Sequence, residues 1–218
     1  AKADFILGTP TNLGPTFNSS VTDGEPDVSA DGLTLFIMSD RPGGYGNYDI
    51  WVSMRDTTED DWGNPVNLGP TVNSSALEAM PSISADGLTL YFGANERSGG
   101  YGEGDIWVTT RETTDAEWNS AENLGSLVNG SAYENCPAIS SDDLELPFYS
   151  WRSDGFGKAD IGVTKRATKD SPWGEPTNLG SPVNSTATEW YPSISADGLE
   201  LYFTGEDPSV ESGSIFFV

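Results

Sequence analysis

The stretch Pro81–Phe92, with the sequence PSISADGLTLYF, decides the fold because it places an Asp-Gly turn between two apolar runs. Asp-Gly between alternating apolar residues is the strongest short-range signal for a β-hairpin. The SADG phrase of this stretch occurs three times, and SSDD forms a degenerate fourth copy. The repeat aspartates follow one another at intervals of 55, 56 and 55 residues: Asp31, Asp86, Asp142 and Asp197. The chain therefore consists of four copies of one unit.

Each unit reads as four short strands and contains no helical period. In the second copy these strands are predicted at Met80–Ser84, Leu88–Gly93, Asp105–Arg111 and Trp118–Leu124. Repeated four-stranded units of about 40–50 residues are typical of propeller blades. We therefore predict an all-β, four-bladed β-propeller over residues 1–218, with blades at approximately 20–70, 75–125, 131–181 and 187–218 plus 4–14.

The two ends of the chain predict how the ring closes. The last copy supplies three strands, whereas Phe5–Leu13 matches only the fourth strand of a unit. Leu7 there takes the place that tryptophan holds in the first three copies. We expect this N-terminal strand to complete the last blade, which would remove an unpaired edge that promotes aggregation.

The repeat as a whole resembles a known family. PSISADGLTLYF at 81–92, followed by RSGGYGEGDIWV at 97–108, is similar to the WD40-like, TolB-type β-propeller repeats of bacterial envelope proteins. The resemblance covers essentially the whole chain and implies a propeller in a periplasmic or secreted setting. It implies no single activity, because the family includes scaffolds, binding modules and propellers attached to peptidases.

Composition restricts the classes of partner and of chemistry. With 34 acidic and 10 basic residues the net charge is −24, which argues against nucleic acid because phosphate binding needs a basic surface. The predicted partners are a cation, a polyamine, an oligosaccharide or a basic protein surface. Without histidine and with the single cysteine Cys136, the chain has no histidine-based catalysis and no internal disulfide. The sequence contains no run of about 20 apolar residues, so membrane insertion is not predicted.

Four acidic residues stand eight positions before the repeat aspartates, at the start of the predicted innermost strands: Asp23, Glu78, Glu134 and Glu189. We expect them to ring the mouth of the central channel, where converging carboxylates would repel one another unless neutralised. They are the predicted metal ligands, for Ca²⁺ or another cation, because Ca²⁺ takes 6–8 oxygen ligands. The alternative is that each acid pairs with an arginine of its own or a neighbouring blade.

Further residues on this face are candidates for ligand binding. Three arginines and two tyrosines recur at equivalent positions of the repeats, and two aromatic residues follow Glu189 directly. These candidates are Arg41, Arg97, Arg152, Tyr45, Tyr101, Trp190 and Tyr191. The fourth copy departs from the pattern, because Asp207 stands where the other copies have arginine and leaves Glu189 without one. Aspartates that open the third strands, Asp49, Asp105 and Asp160, are expected to cap the glycine-rich loops.

Two functions fit these residues. We favour a non-catalytic binding propeller whose acidic channel mouth takes a cation, a cationic ligand or a protein partner. Equivalent acids in every copy indicate fold symmetry, whereas active sites need unequal pKa values. The alternative is a carbohydrate-active, glycoside-hydrolase-like enzyme in which Glu189 pairs with Glu134 or Asp207, since two carboxylates suffice for glycoside hydrolysis. Trp190 and Tyr191 would then offer a surface for stacking sugars.

Overall fold

A computed structural model describes residues 9–206 and 213–218. These residues form four antiparallel sheets and no helix, arranged as a four-bladed β-propeller, so the predicted fold class is confirmed. No helix able to cross a membrane occurs in this part of the chain. The strands are β1 (Asp23–Val28), β2 (Thr34–Ser39), β3 (Asp49–Met54) and β4 (Val66–Asn67) in blade 1; β5 (Leu77–Ile83), β6 (Thr89–Asn95), β7 (Gly104–Thr110) and β8 (Glu122–Asn123) in blade 2; β9 (Glu134–Asn135), β10 (Glu145–Ser150), β11 (Asp160–Lys165) and β12 (Thr177–Asn178) in blade 3; and β13 (Glu189–Ile194), β14 (Leu201–Gly205) and β15 (Ser214–Phe217) in blade 4.

Strands follow one another in sequence order across every blade, from the axis outward. The fourth strands are shorter than predicted: β8 has two residues, and Trp118 lies before it instead of within it. Trp118 packs between blades, with its ring edge-on to Phe36 of blade 1 at 6.2 Å. Tyr91 and Trp173 repeat this contact between blades 2 and 3 at 6.0 Å. Burial of such large rings stabilises the fold by roughly 1.5–3 kcal/mol per side chain.

The SADG phrase builds the same turn in each blade. In the second copy Ser84 Oγ donates to Asp86 Oδ1 at 2.7 Å, and Gly87 has a φ of 71°. The degenerate third copy keeps the turn because Asp143 adopts a φ of 61°, a left-handed conformation that aspartate tolerates better than most residues. The hairpin at the lower face, where these turns lie, is thus preserved in all four blades.

A second set of arginines fixes these turns. Arg111 Nε donates to the Gly87 carbonyl at 2.8 Å, and its guanidinium lies 4.4 Å from the ring centroid of Trp118. Arg55 and Arg166 make the equivalent contacts in blades 1 and 3. Each arginine therefore ties its turn to the tryptophan of the same blade.

The predicted closing strand lies largely outside the described residues. Its Phe5 and Leu7 belong to residues 1–8, and residues 9–13 are in no strand. Within the described residues blade 4 has three strands, and Ile215 and Phe217 on one face of β15 are 80% and 70% exposed. Closure by the N-terminal strand therefore stays a prediction.

Candidate functional site

The acids at the start of the innermost strands are held within their own blades. In blade 2, Arg97 lies 3.2 Å from Glu78, donates to the Val72 carbonyl and stacks over Trp107 at 4.5 Å. Equivalent pairs form in blades 1 and 3 between Asp23 and Arg41, and between Glu134 and Arg152. These acid–arginine pairs are buried links between a blade and the connection that enters it.

The pKa values of two of these acids reflect that environment. Burial raises the pKa of Asp23, but hydrogen bonds from Ser39, Arg41 and Ser19 outweigh it and bring the pKa down to about 2. For Glu78, burial dominates and the pKa is raised, although Ser74 and Arg97 oppose the shift. Asp23 is therefore ionised at neutral and mildly acidic pH and becomes protonated only near pH 2.

Each of the four predicted metal ligands has a protein partner. Asp23, Glu78 and Glu134 bind the arginine of their own blade, and Glu189 accepts a hydrogen bond from Ser185 Oγ. Among residues 9–206 and 213–218, no group of three or more acidic or cysteine side chains is placed to hold a metal ion. The alternative ion-pair interpretation describes three of the four acids.

The predicted catalytic carboxylates Glu134 and Glu189 have different surroundings. Glu134 is fully buried and accepts hydrogen bonds from Ser150 Oγ and Gly130 N in addition to Arg152. Glu189 lines a separate cavity of 400 Å³ together with Phe216 and Glu206. Phe216 stands here at the position that Trp51 and Trp107 hold in blades 1 and 2.

Asp207, the residue that replaces this arginine, lies outside the described residues.

The glycine-rich loops have the predicted aspartate caps. Asp105 Oδ2 accepts a hydrogen bond from Tyr101 N at 2.7 Å, and Asp49 accepts the equivalent bond from Tyr45 N at 2.6 Å. A Cβ on Gly100 would lie 2.1 Å from Asp105 Oδ2, so this position requires glycine. Capping is confirmed, and the side chains of Tyr45 and Tyr101 remain about half exposed at the tips of their loops.

A different set of residues meets on the axis. The axial cavity, of 210 Å³, is lined by three consecutive residues from each innermost strand or its continuation: Glu25–Asp27, Met80–Ser82, Cys136–Ala138 and Tyr191–Ser193. The first residue of each triplet has a φ between 53° and 57° and precedes a proline. A left-handed conformation at a non-glycine residue costs of order 1–3 kcal/mol and is concentrated at functional sites. The backbone conformation is thus the same in all four blades, whereas the side chains that line the cavity differ from blade to blade.

Two carboxyl groups of blade 1 face this cavity. Glu25 Oε2 accepts a hydrogen bond from Met80 N at 2.9 Å, and Asp27 Oδ2 accepts one from Ile83 N at 2.7 Å. Burial raises the pKa of Glu25, and it raises the pKa of Asp27 to about 6 against the partly compensating backbone hydrogen bonds. Neither carboxylate forms an ion pair within the described part of the chain. They are desolvated acids, unlike the arginine-paired ones.

An aromatic path leads away from the axial cavity across blades 4 and 3. It comprises five side chains in successive ring contact at 5.9–6.2 Å: Trp190, Tyr191, Tyr149, Tyr133 and Trp151. Trp190 and Tyr191 were predicted as a stacking surface, and the structure brings them to the other three. The sequence signal for those three was available, because none of their repeat equivalents is aromatic; at the position of Tyr149, for example, the other blades have Met38, Gly93 and Thr204.

Comparison with known proteins shows a similarity in fold only. No protein-family model and no curated protein sequence matches it. Among solved structures, a TolB protein from Agrobacterium tumefaciens is 16% identical with a TM-score of 0.63; the match covers 93% of this chain and 64% of that one. An α-L-arabinofuranosidase from Lactobacillus brevis is 12% identical with a TM-score of 0.58, covering 87% and 70% of the two chains. An endo-arabinase from Bacteroides thetaiotaomicron is 20% identical with a TM-score of 0.53, covering 85% and 69%.

These findings correct the functional prediction. The non-catalytic propeller with an acidic, cation-binding mouth is wrong, because glycoside-cleaving enzymes recur among the similar structures and three of the four acids of that mouth are bound to arginines. The carbohydrate-active interpretation is the better supported of the two. At these identities the likeness establishes the fold alone, so the activity has to be argued from the residues of this chain. The chain spans 64% of the TolB structure that it resembles.

Proposed function

We propose that the chain is a carbohydrate-active enzyme that hydrolyses a glycosidic bond at the axial cavity. Asp27 is the general acid, and Glu25 is the second carboxylate. The observation that carries the proposal is the pair of unpaired, desolvated carboxyl groups in one cavity on the axis. The presence of an α-L-arabinofuranosidase and an endo-arabinase among the similar folds supports a glycoside as the substrate.

The proposed step needs only these two groups and water. Asp27 donates its proton to the glycosidic oxygen as the bond between that oxygen and the anomeric carbon breaks. Glu25 takes a proton from a water molecule whose oxygen forms the new bond to the anomeric carbon. A general acid must be protonated before the step, and a pKa of about 6 keeps Asp27 protonated at mildly acidic pH. Activity should therefore fall as the pH rises through 6.

The remaining lining of the cavity is compatible with this chemistry. Burial raises the pKa of Cys136, so its thiol stays protonated and does not compete as a nucleophile. The volume of 210 Å³ is below the 300–1,000 Å³ or so of sites for drug-sized ligands, which favours one sugar unit inside the cavity. The rest of a polysaccharide would have to lie outside it.

Release of reducing sugar from linear arabinan and xylan, and of nitrophenol from aryl arabinosides and xylosides, tests the proposal. We expect Asp27→Asn and Glu25→Gln each to lower the rate by about 10²–10⁴-fold. Glu189→Gln is the matched control, because its carboxylate lines the separate cavity of blade 4. Activity that survives both axial substitutions, or is lost only in the control, would overturn the assignment to the axial cavity.

We also infer that the repeats belong to the WD40-like, TolB-type group and that the protein works in the periplasm or outside the cell. The recurring SADG and glycine-loop phrases and the fold-level likeness to a TolB protein support the first inference. Fractionation of the source cells tests the second, and recovery of the protein with the cytosol would contradict it.

A further inference from the structure

We propose that the aromatic path binds the part of a neutral oligosaccharide that extends beyond the axial cavity. This inference rests on the proposed hydrolysis and names the substrate class and the route of its chain. Near one end of the path Tyr191 lines the cavity, with Trp190 in ring contact beside it. The other end is Trp151, which follows β10 directly and lies on the face opposite the SADG turns.

The path is a departure from the repeat. At the position of Tyr191 the other blades carry Glu25, Met80 and Cys136, and at that of Trp190 they carry Gly24, Ala79 and Asn135. The aromatic residues of the repeat itself are packed between blades, as Trp118 and Trp173 are, or lie at the tips of the glycine-rich loops, as Tyr101 does. The rings of the path instead gather on one sector of the upper face, so the requirements of the propeller fold do not account for them.

The path combines two exposed rings with rings that are more buried. Tyr191 and Trp151 are 47% and 57% exposed, whereas Tyr149 between them is 9% exposed. Tyr133 stacks on Tyr149 with ring centroids 5.9 Å apart, and Asn135 Nδ2 donates to the Tyr133 hydroxyl at 2.8 Å. The two exposed rings are therefore supported by rings that are packed and hydrogen-bonded. Rigid aromatic faces bind the apolar faces of sugar rings at low entropic cost.

Polar groups that could bind sugar hydroxyls lie beside the path. A cavity of 640 Å³ on the upper face begins at Tyr133 and is lined by Asn47, Asn95, Glu96 and Glu103 among others. Asn95 is joined to the path, because its Oδ1 accepts a hydrogen bond from Asn135 Nδ2 at 3.2 Å. Binding sites combine such aromatic surface with a few placed polar groups.

The negative charge of the protein favours a neutral glycan over an acidic one. The net charge is −24, and the polar cavity beside the path contributes Glu96 and Glu103. A polysaccharide rich in uronic acids would be repelled by this field, whereas a neutral one would not. We therefore expect arabinan or xylan to bind and alginate or polygalacturonate not to bind.

Affinity electrophoresis through gels containing each of these four polysaccharides tests the inference, with Asp27→Asn as the parent protein so that bound polymer is not cut. We expect Trp151→Ala to weaken retardation by the neutral polymers about tenfold and Trp151→Phe to retain most of it. Phe156→Ala is the matched control, because Phe156 is 56% exposed in the same blade but lies off the path.

The outcomes separate this inference from the proposed hydrolysis. Retardation that depends on Trp151 supports the path even if the wild-type protein cuts none of the polymers. Hydrolysis by the wild-type protein with equal retardation of the parent, Trp151→Ala and Phe156→Ala would overturn the path alone. Stronger retardation by alginate than by arabinan would overturn the choice of a neutral glycan.

Discussion

Replacement of Asp27 by asparagine should make the protein inactive and, above pH 6, more stable. The carboxyl group is held in a desolvated position, which raises its pKa from the usual 3.8 to about 6. The main-chain N–H of Ile83 donates to Asp27 Oδ2, and an asparagine oxygen can accept the same bond. The substitution thus removes the charge and preserves the contact.

The size of the effect follows from the pKa. Each pKa unit is worth about 1.4 kcal/mol, so the free energy of unfolding is lowered by at most about 3 kcal/mol above pH 6. Because Asp27 is partly open to solvent, we expect about 1–3 kcal/mol. A raised folded-state pKa means that this penalty is absent below pH 4, grows between pH 4 and 6 and is constant at higher pH.

Urea unfolding of the wild type and of Asp27→Asn at pH 4, 5, 6 and 8 measures this difference. We expect the free energies of unfolding to be equal at pH 4 and to diverge up to pH 6, with the variant the more stable protein. A difference that does not change with pH, or a variant that is less stable at pH 8, would refute the view that Asp27 is a desolvated acid. Asp61→Asn, at an exposed position between β3 and β4, controls for a general effect of charge.

Three further substitutions test the frame that surrounds the site. Arg97→Met should lower the free energy of unfolding by about 3–5 kcal/mol, measured in urea, because it leaves the buried Glu78 carboxylate without its cation; a loss below 1 kcal/mol would contradict the structural role of the pair. Asp23→Asn should lower the free energy of unfolding by about 2 kcal/mol at pH 7, because the folded-state pKa of Asp23 is lowered to about 2. This loss should vanish as the pH falls from 4 to 2, and an equal loss at pH 2 would argue against the lowered pKa. Gly102→Ala should lower the melting temperature, because a Cβ would lie 2.1 Å from the Ala132 carbonyl oxygen of the next blade; an unchanged Tm would mean that this contact is not close.

The architecture could be predicted from the sequence because the sequence motifs of one blade occur four times. Asp-Gly turns and glycine loops that return at one interval fix both the hairpins and their number, and the hydrogen bonds of Ser84 and Asp105 show why those residue types recur. Strand lengths were less predictable. Trp118 has the character of a strand residue but packs between blades, which leaves β8 with two residues.

The candidate site was harder to predict for a physical reason. The repeated acids were predicted as the site, but repetition marks residues that the fold itself needs, and Glu78 with Arg97 is such a pair. Glu25 and Asp27 occur in one blade only and precede and follow a proline, so periodicity does not single them out. Their meeting with Tyr191 depends on the curvature of the ring, which sequence spacing alone does not give.

The most direct test of the central claim is the crystal structure of Asp27→Asn with a neutral oligosaccharide bound. The account predicts one terminal sugar in the axial cavity beside Glu25, with the following sugars against Tyr191 and toward Trp151. Sugar density confined to the blade 4 cavity at Glu189, or absent from the axis while present elsewhere, would contradict it.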